Sequence, residues 1–375
     1  MGKFYMIIGA YEPCTAPTNR ALSFINSFDK ESINTQVIFL EPNITMSKIE
    51  KLNYEHIEVR YLWERSVSKQ YIVNRLLTGI RITRFIKDLR EGDKVFLFGV
   101  AKYLHKFVSK KGIEVYHERT EHPDVVRLRF AFERKRYIRN CKKLSGLFVI
   151  STALKNYFIS IGVPEKKITI VNMTVDPNRF ENVSKSTSVE KYIAYCGTAS
   201  NNKDGVDRLI KAFAIVAQKH KDVKLYIIGR TPSSDDASGN LQLVDSLGIK
   251  DRVVFTGVVL AEQMPQLLTN AIILALARPN NLQAQNGFPT KLGEYLLTRN
   301  PVVVTKVGDI PLFLKDGESA LLAEPDNIEE FADKLCWVLE HQSEGIEIGQ
   351  KGRNVAMANF NASIETNKII NTISI

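Results

Sequence analysis

The stretch 278–305 (RPNNLQAQNGFPTKLGEYLLTRNPVVVT) holds residue types that suit the binding of phosphate and sugar. Its Asn-Gly-Phe-Pro turn at 286–289 opens a helix, and Gly287 permits close backbone approach to a ligand. A helix N-terminus offers free N–H groups and a positive dipole end to a phosphate, and Lys291 would add a full charge. Glu294, one turn further on, can accept a hydrogen bond from a ribose or sugar hydroxyl. The spacing fits equally well a capped, partly buried helix with a solvated lysine.

A second polar segment, 115–124 (VYHERTEHPD), follows a predicted strand. Its two histidines and two glutamates make acid–base or metal chemistry conceivable. His117 and His122 are five positions apart, which is the wrong spacing for one helix face, and other nearby zinc ligands are lacking. A polar surface loop would have the same composition.

These segments are set in an alternation of strand-like and helix-like stretches, which predicts parallel, doubly wound α/β sheets. The polar stretch 182–190 (NVSKSTSVE) has the composition of a linker. The sequence thus predicts two Rossmann-like domains, 1–185 and 186–359, with a helix at about 360–375 packing back onto the first. Ligands bind beyond the carboxyl ends of parallel strands, so the cleft between the two domains is the expected site.

The predicted strands are 4–8, 35–40, 94–98, 113–117, 147–151, 168–171, 192–195, 224–228, 253–255, 272–276, 302–305 and 320–322. The predicted helices are 19–28, one through Tyr157, 206–220, 241–247, 264–270, 292–298, 310–314 and 328–341.

Charge and composition limit the partners and the compartment. The net charge of +10 favours an acidic partner. The segment 127–143 holds eight Arg or Lys with interleaved aromatic residues, and 71–90 is a second basic stretch. Both fit an anionic membrane surface or a solvated helix face, whereas nucleic acid is disfavoured because no recognition motif accompanies the charge. The four scattered cysteines, the absence of a secretory signal and the lack of long apolar runs predict a cytoplasmic protein, peripheral on the membrane if it binds one.

The stretch 278–305 resembles retaining glycosyltransferases of the GT-B fold, specifically glycosyltransferase family 4, also called glycosyl transferases group 1. Gly287, Phe288 and Glu294 match the family's turn and second glutamate, whereas Asn286 replaces the first glutamate. The segment YCGTASNNKDGVDRLIKAF resembles the family's phosphate loop, in which Thr198 replaces an arginine and Lys203 is retained. The segment from Leu147 to Phe180 also resembles the family, and so do the strands ending at Gly229 and Gly257.

The resemblance implies a set of site residues in this numbering. The implied catalytic residues are His117, Asn286 and Glu294. The donor-binding residues are Thr198, Lys203, Gly257, Val258, Gly287, Phe288, Pro289, Thr290, Lys291 and Glu294, with Arg230 or Arg278 compensating for the missing arginine and Gln283 or Gln285 for the missing glutamate. The acceptor-binding residues are Thr18, Asn19, Glu118, Arg119 and His122, with the loop around Ala16 also approaching the diphosphate; His122 is the second candidate for the histidine role.

The implied activity is transfer of a sugar from a nucleotide-sugar to a glycan or lipid-linked acceptor, with retention, in surface polysaccharide or glycolipid synthesis. The nucleotide-sugar is a co-substrate; no cofactor and no metal are implied, since no D-x-D motif serves the diphosphate. An epimerase or phosphorylase on the same fold stays open. So does a non-enzymatic binding protein, which Asn286 and Thr198 favour because both replace charged donor contacts. A nicotinamide dehydrogenase is discounted, because no predicted strand is followed by G-x-G-x-x-G.

Overall fold

A computed structural model describes residues 2–9, 15–40, 54–62, 71–125, 131–186, 190–230 and 235–375. Cys14 and the segment 127–130, part of the predicted basic stretch, lie outside the described residues. The strands are β1 (Phe4–Ile8), β2 (Thr35–Phe39), β3 (Ile57–Tyr61), β4 (Lys94–Phe98), β5 (Glu114–Arg119), β6 (Gly146–Val149), β7 (Ile168–Ile170), β8 (Tyr192–Cys196), β9 (Lys224–Ile228), β10 (Val253–Gly257), β11 (Ile273–Leu276), β12 (Val302–Thr305) and β13 (Leu321–Ala323).

The helices alternate with these strands. They are α1 (Ala16–Lys30), α2 (Tyr71–Asp88), α3 (Leu104–Phe107), α4 (Ala131–Cys141), α5 (Thr152–Ser160), α6 (Asn201–Asp204), α7 (Val206–Lys219), α8 (Asp235–Ser246), α9 (Met264–Asn270), α10 (Leu282–Asn286), α11 (Thr290–Leu297), α12 (Ile310–Phe313), α13 (Ile328–Glu340), α14 (Gln342–Asn359) and α15 (Ala362–Ile373).

The strands form two parallel sheets, so the predicted fold class is confirmed. The first sheet has the order β3-β2-β1-β4-β5-β6-β7, and the second has the order β10-β9-β8-β11-β12-β13. In each sheet the chain first builds outward on one side of the first strand, from β1 to β3 or from β8 to β10. It then crosses to the other side of that strand and continues with β4 or β11. Such a switch point opens a crevice at the carboxyl ends of the strands, where doubly wound folds bind ligands.

The two sheets belong to separate compact units: Met1–Asn172 with Ala362–Ile375, and Met173–Asn361. The first unit therefore ends before the predicted boundary at 185. Packing explains the difference, because Val175 bridges to Asn361 and its N–H donates to the Phe360 carbonyl at 2.8 Å. The described residues of the predicted linker, 182–186 and 190, lie within the second unit rather than at the point where the units divide.

The first unit closes through its last helix, α15. Ile369 and Ile373 of α15 join the aromatic core formed by β1, α1 and β4. The carboxylate of Glu365, only 1% exposed, accepts a hydrogen bond from the Asn172 N–H at 2.6 Å. A hydrogen bond to a buried carboxylate is stronger than one between neutral groups. Glu365 thereby fixes the end of the β7 segment to the last helix.

We expect Glu365→Ala to lower the free energy of unfolding of the first unit by about 1–3 kcal/mol, because the Asn172 N–H loses this charged acceptor. Hydrogen exchange of peptides spanning β7 and α15 measures the effect locally. Glu344→Ala, at an exposed position of α14, is the control and should change stability by no more than about 0.5 kcal/mol. Unchanged exchange in Glu365→Ala would show that apolar packing alone holds α15.

Candidate functional site

The predicted donor residues of the second unit follow the carboxyl ends of four neighbouring strands. Thr198 follows β8, Arg230 follows β9, Val258 follows β10 and Arg278 follows β11. All four strands are parallel, so these loops meet at one edge of the sheet. The switch point between β8 and β11 lies in the middle of this edge, and the structure thus brings together residues that are distant in the sequence.

The loop after β8 is built around Gly197. Its φ of +141° is a conformation that side-chain-bearing residues rarely adopt. A Cβ at this position would lie 2.5 Å from the Lys291 Nζ, so only glycine leaves room for the ammonium group. The Gly197 N–H donates to the Ile228 carbonyl at 2.8 Å, and the Ala199 N–H donates to the Arg230 carbonyl at 3.0 Å. The loops after β8 and β9 are therefore fixed to each other.

A buried carboxylate, Asp204, lies at the centre of the site. Asp204 is 4% exposed and ion-pairs with Lys291, while Arg278 lies 3.9 Å away. The Tyr195 hydroxyl lies 2.8 Å from the same carboxylate and 3.1 Å from the Lys291 Nζ. The Lys291 ammonium also stands over the Tyr195 ring, 4.6 Å from its centroid. This arrangement links α6, α11 and the ends of β8 and β11.

Electrostatics keep Asp204 ionised. Burial by itself would raise the pKa of Asp204, but the charges of Lys291 and Arg278 hold that pKa below its usual value. Burial raises the pKa of Tyr195 well above its usual value, and Asp204 raises it further. The cluster therefore holds one carboxylate, two cations and a neutral phenol, which leaves it with one net positive charge.

The turn before α11 is more closely packed than the sequence indicated. Asn286 ends α10, is 8% exposed, and its side-chain amide donates to the Leu282 carbonyl at 2.9 Å. Gly287 has an extended backbone with φ of −96°, so its conformation does not require glycine. Phe288 is 7% exposed and packs against Phe313 and Phe360. Phe288 thus belongs to the apolar core. Its side chain has little exposed surface with which to make the donor contact predicted from the sequence.

The start of α11 offers backbone N–H groups. Pro289 occupies the N-cap position, where its side chain cannot cap, and Thr290 begins the helix. Positive partial charge therefore accumulates at this end of α11.

Glu294, the predicted ribose contact, lies one turn into α11 and ion-pairs with Arg179. Its side chain is 20% exposed. Arg179 lies in a short 3-10 helix, Pro177–Phe180, and sequence reasoning missed it. The arginine in the segment DPNRF, which ends the family-like stretch, was the signal that could have identified it. Asp204 was also missed, although it directly follows Lys203.

The remaining donor candidates differ in exposure. Lys203 and Arg230 are exposed, whereas Arg278 is 2% exposed and its Nε donates to the Lys203 carbonyl at 3.4 Å. Gly257 has a φ of +69°, and Val258 is 73% exposed beside it. Arg278 is buried and contacts Asp204 and the Lys203 carbonyl, so the structure favours Arg230 over Arg278 as the arginine that contacts the donor.

Gln283 and Gln285, the two candidates for replacing the missing glutamate, lie on α10. The Gln285 side-chain amide donates to the Asn280 side chain at 2.6 Å.

In the first unit, the ends of β1 and β4 border a cavity of about 150 Å³. Thr18 lines it, together with Gly9, Phe98 and Gly99. Asn19, on the same turn of α1, is exposed. The two predicted acceptor residues on α1 thus lie near the switch point of the first sheet.

His117 is placed differently from the prediction. The strand extends to Arg119, so His117 lies inside β5 rather than at its end. The side chain is fully buried, with Nδ1 3.0 Å from the Leu97 carbonyl and Nε2 3.2 Å from the Tyr137 hydroxyl. Burial lowers the pKa of His117 to about 4. A neutral imidazole without exposed surface suits a structural role in the core.

Glu118 is also placed inside the first unit. It forms an ion pair with Arg20, Nη2 to Oε1, at 2.9 Å, and both side chains are 3% exposed. Burial raises the pKa of Glu118, and the Arg20 guanidinium opposes this effect. Arg20 also donates to the Val171 and Asn172 carbonyls. Arg20 therefore links α1 to Glu118 on β5 and to the segment after β7, and Glu118 is buried at 3% exposure rather than presented to an acceptor.

Arg119 and His122 lie at the true end of β5. The Arg119 Nε donates to the Glu121 carbonyl at 2.8 Å, and the guanidinium stands over Tyr137. His122 is 6% exposed and packs edge-on against Tyr157 at 4.2 Å. Of the two histidines, His122 is the one at the strand's carboxyl end.

Three comparisons with known proteins agree with this geometry. Residues 190–341 match the family model of Glycosyl transferases group 1. The chain is 24% identical over 213 residues to mannosylfructose-phosphate synthase of Agrobacterium fabrum, which covers 53% of this chain and 46% of the relative. It is 24% identical over 264 residues to MMP alpha-(1->4)-mannosyltransferase of Mycolicibacterium hassiacum, covering 70% and 61%. The chain thus spans about half of the length of these curated relatives.

The fold is shared along the whole chain with a solved structure, that of Anabaena Alr3699/HepE in complex with UDP. Its TM-score is 0.77 at 18% identity, with 99% of each chain covered. The fold is therefore GT-B, the two-sheet architecture of these glycosyltransferases. The resemblance to GT-B glycosyltransferases predicted from the sequence is confirmed, and residues 190–341 match the model of the glycosyl transferases group 1 family. Among the described residues, none of the helices combines the length and apolarity needed to cross a membrane.

We expect Asp204→Asn to destabilise the second unit by about 3–5 kcal/mol, because Lys291 and the buried Arg278 lose their carboxylate. Urea unfolding measures the change. Glu324→Gln, which breaks the exposed Lys306–Glu324 pair, should cost less than about 1 kcal/mol. Adding Lys291→Met to Asp204→Asn should recover part of the loss; a double variant no more stable than the single one would contradict a charge-based cause.

The buried His117 predicts a pH dependence of stability. Its pKa is about 4 in the folded protein and about 6.5 when unfolded, so the unfolded state binds more protons between these values. Stability from this group is complete above pH ~6.5 and falls by about 3 kcal/mol as the pH is lowered towards 4. His117→Gln should flatten this slope in urea titrations. His341→Gln, at an exposed position, is the matched control variant.

Proposed function

We propose that this chain is a glycosyltransferase that moves a sugar from a nucleotide-sugar to a glycan or lipid-linked acceptor, with retention of anomeric configuration. Support comes from the match of residues 190–341 to the Glycosyl transferases group 1 family and from the GT-B fold. The names of two curated relatives describe a synthase and a mannosyltransferase. The first structural neighbour was solved with UDP, which favours a nucleoside diphosphate as the donor's leaving group.

The observation that carries the proposal is the meeting of Gly197, Lys291 and the start of α11 at one sheet edge. Gly197 keeps side-chain atoms away from the Lys291 ammonium. The N-terminal end of α11 adds backbone N–H groups and a positive dipole end. The exposed Lys203 and Arg230 supply further positive charge to the same edge. A diphosphate is the ligand chemistry that such an edge accommodates.

Glu294 would bind the ribose hydroxyls of the donor. Its ion pair with Arg179 limits the rotation of the carboxylate. An ordered carboxylate with 20% of its surface exposed can still accept hydrogen bonds from a diol. Arg179 is thus a positioning residue for Glu294.

In the proposed reaction, the bond between the anomeric carbon and the diphosphate oxygen breaks while the acceptor hydroxyl attacks from the same face. The acceptor proton passes to the departing diphosphate. Negative charge grows on the diphosphate as the bond breaks, so prearranged N–H groups and cations lower the barrier. In this chain Lys203, Arg230, Lys291 and the α11 N-terminus would supply that stabilisation.

A donor panel tests the function directly. Millimolar UDP-, GDP-, ADP- and TDP-sugars should include at least one that raises the melting temperature, since stabilisation grows with the ratio of ligand concentration to Kd. Transfer is then assayed with the stabilising donor and glycan or lipid-diphosphate acceptors. Stabilisation without transfer or donor hydrolysis would favour the non-enzymatic binding protein, which the uncharged Thr198 and Asn286 already suggest. Turnover of the donor without an acceptor would favour an epimerase.

We expect Glu294→Ala to weaken binding of the stabilising nucleoside diphosphate by about tenfold to a hundredfold, because ribose hydrogen bonds to a charged group are lost. Isothermal titration calorimetry measures the affinity. Glu318→Ala, an exposed carboxylate outside the site, is the control and should bind as the wild type does. If both variants bind equally well, Glu294 does not contact the nucleotide.

A further inference from the structure

The first unit contains a larger cavity on a different part of the molecule from the switch-point crevice. It has a volume of about 540 Å³ and lies between α2, α3 and α4. Among its described lining residues, five side chains carry a full positive charge, and Glu133 is the only acidic one. The basic ones are Arg84, Lys87, Lys102, Lys106 and Arg136.

Three of the five cations that line this cavity have no counter-charge among the described residues. Within the described ranges, none of Arg84, Lys87 and Arg136 has a carboxylate within salt-bridge distance. Lys106 is held by neutral groups, since its ammonium donates to the Gly79 carbonyl at 2.8 Å and to the Thr83 hydroxyl at 2.7 Å. Like charges gathered without counter-charges repel one another and favour an anionic ligand.

His105 also lines the cavity, and its pKa is affected by the positive charges around it. Burial lowers the pKa of His105, and the charges of Arg136 and Lys106 lower it further. A neighbouring carboxylate would act in the opposite direction. The imidazole is therefore neutral at physiological pH and can donate or accept a hydrogen bond beside the cations.

Two exposed apolar side chains accompany the charge. Ile80 lines the cavity and is 50% exposed, and Phe132 lies next to Glu133 on α4 and is 61% exposed. In the described part of the first unit, the only other large apolar side chain with comparable exposure is Ile364, on α15. Exposed aliphatic and aromatic groups beside basic residues are typical of surfaces that contact a bilayer interface.

We infer that this cavity binds a phosphate-bearing anion, either the headgroup of an anionic phospholipid or the phosphate of a soluble glycan or glycerol phosphate. Arg84 and Arg136 suit bidentate contacts to phosphate oxygens, whereas Lys87 and Lys106 act as point charges. The inference goes beyond sugar transfer and does not require it, because every residue involved belongs to the first unit.

The decisive variant is the triple substitution Arg84→Gln, Lys87→Gln and Arg136→Gln, whose three positions are all exposed on helices. Its matched control is the triple substitution Lys30→Gln, Lys111→Gln and Lys143→Gln, which removes the same charge from exposed positions of the same unit outside the cavity. Circular dichroism checks that both triple variants are folded, and nucleoside diphosphate affinity checks that the second unit is unchanged.

The first arm measures flotation with vesicles of phosphatidylcholine alone or of phosphatidylcholine and phosphatidylglycerol in equal amounts. We expect binding to the anionic vesicles only, weakened about a hundredfold in the cavity variant and little changed in the control. Replacing Ile80 and Phe132 with Ser should reduce vesicle binding further if the ligand is a lipid. Equal losses in the cavity and control variants would overturn the inference, because general charge would then explain the binding.

The second arm measures binding of glycerol phosphate by calorimetry. Binding that the cavity variant loses and the control keeps, together with no vesicle binding, supports a soluble phosphate source. If wild-type protein binds neither glycerol phosphate nor anionic vesicles, the cavity is not a phosphate site. The proposed transferase function survives that result, since donor binding is measured separately in the second unit.

Discussion

The burial of one carboxylate, Asp204, constrains the whole candidate donor site. A charge with 4% exposure must be compensated by nearby cations, or the protein would lose several kcal/mol to desolvation. Here the compensation comes from Lys291 on α11 and Arg278 after β11, and Tyr195 at the end of β8 adds a hydroxyl. Two stretches of the sequence, 195–204 and 278–291, are therefore fixed to each other by this group.

This constraint changes the role of Lys291. Its ammonium is not a free charge added to a helix N-terminus, because Asp204 neutralises much of it. The two cations of the cluster still outnumber its single carboxylate, so the edge of the sheet stays positive. The pair also holds the ammonium beside Gly197, where a Cβ would lie 2.5 Å from the Lys291 Nζ. The ion pair therefore fixes the position of the ammonium group rather than adding a free charge.

Much of the fold could be predicted, because buried parallel strands are short apolar runs bounded by turns. The bounds of β1, β4, β9 and β12 agree with those predicted from the sequence. The strand β3 was missed because it is a half-exposed edge strand whose buried face is poorly marked. Glycines obscured α14, since Gly345, Gly349 and Gly352 lower its helix propensity.

Those glycines have a packing role that no sequence pattern reveals. A Cβ at Gly349 would lie 2.2 Å from the Arg299 carbonyl oxygen, and one at Gly352 would lie 2.6 Å from the Ser319 carbonyl oxygen. The candidate site could likewise be predicted only in part. Its position followed from the ends of the strands, but the ion pair between Glu294 and Arg179 joins residues 115 positions apart, which no local sequence pattern indicates.

The ionic groups of this protein fall into two kinds. Those with a structural role are paired with an opposite charge, whereas those available for binding are not. Glu118 was predicted to contact the acceptor, yet Arg20 satisfies it inside the first unit. His117 was predicted at the donor sugar, yet its burial keeps it neutral in the core. By contrast, Arg84, Lys87 and Arg136 remain at the surface with no carboxylate beside them in the described chain. Structural charges satisfy one another, so unsatisfied charges at the rim of a cavity are the ones that point to a ligand.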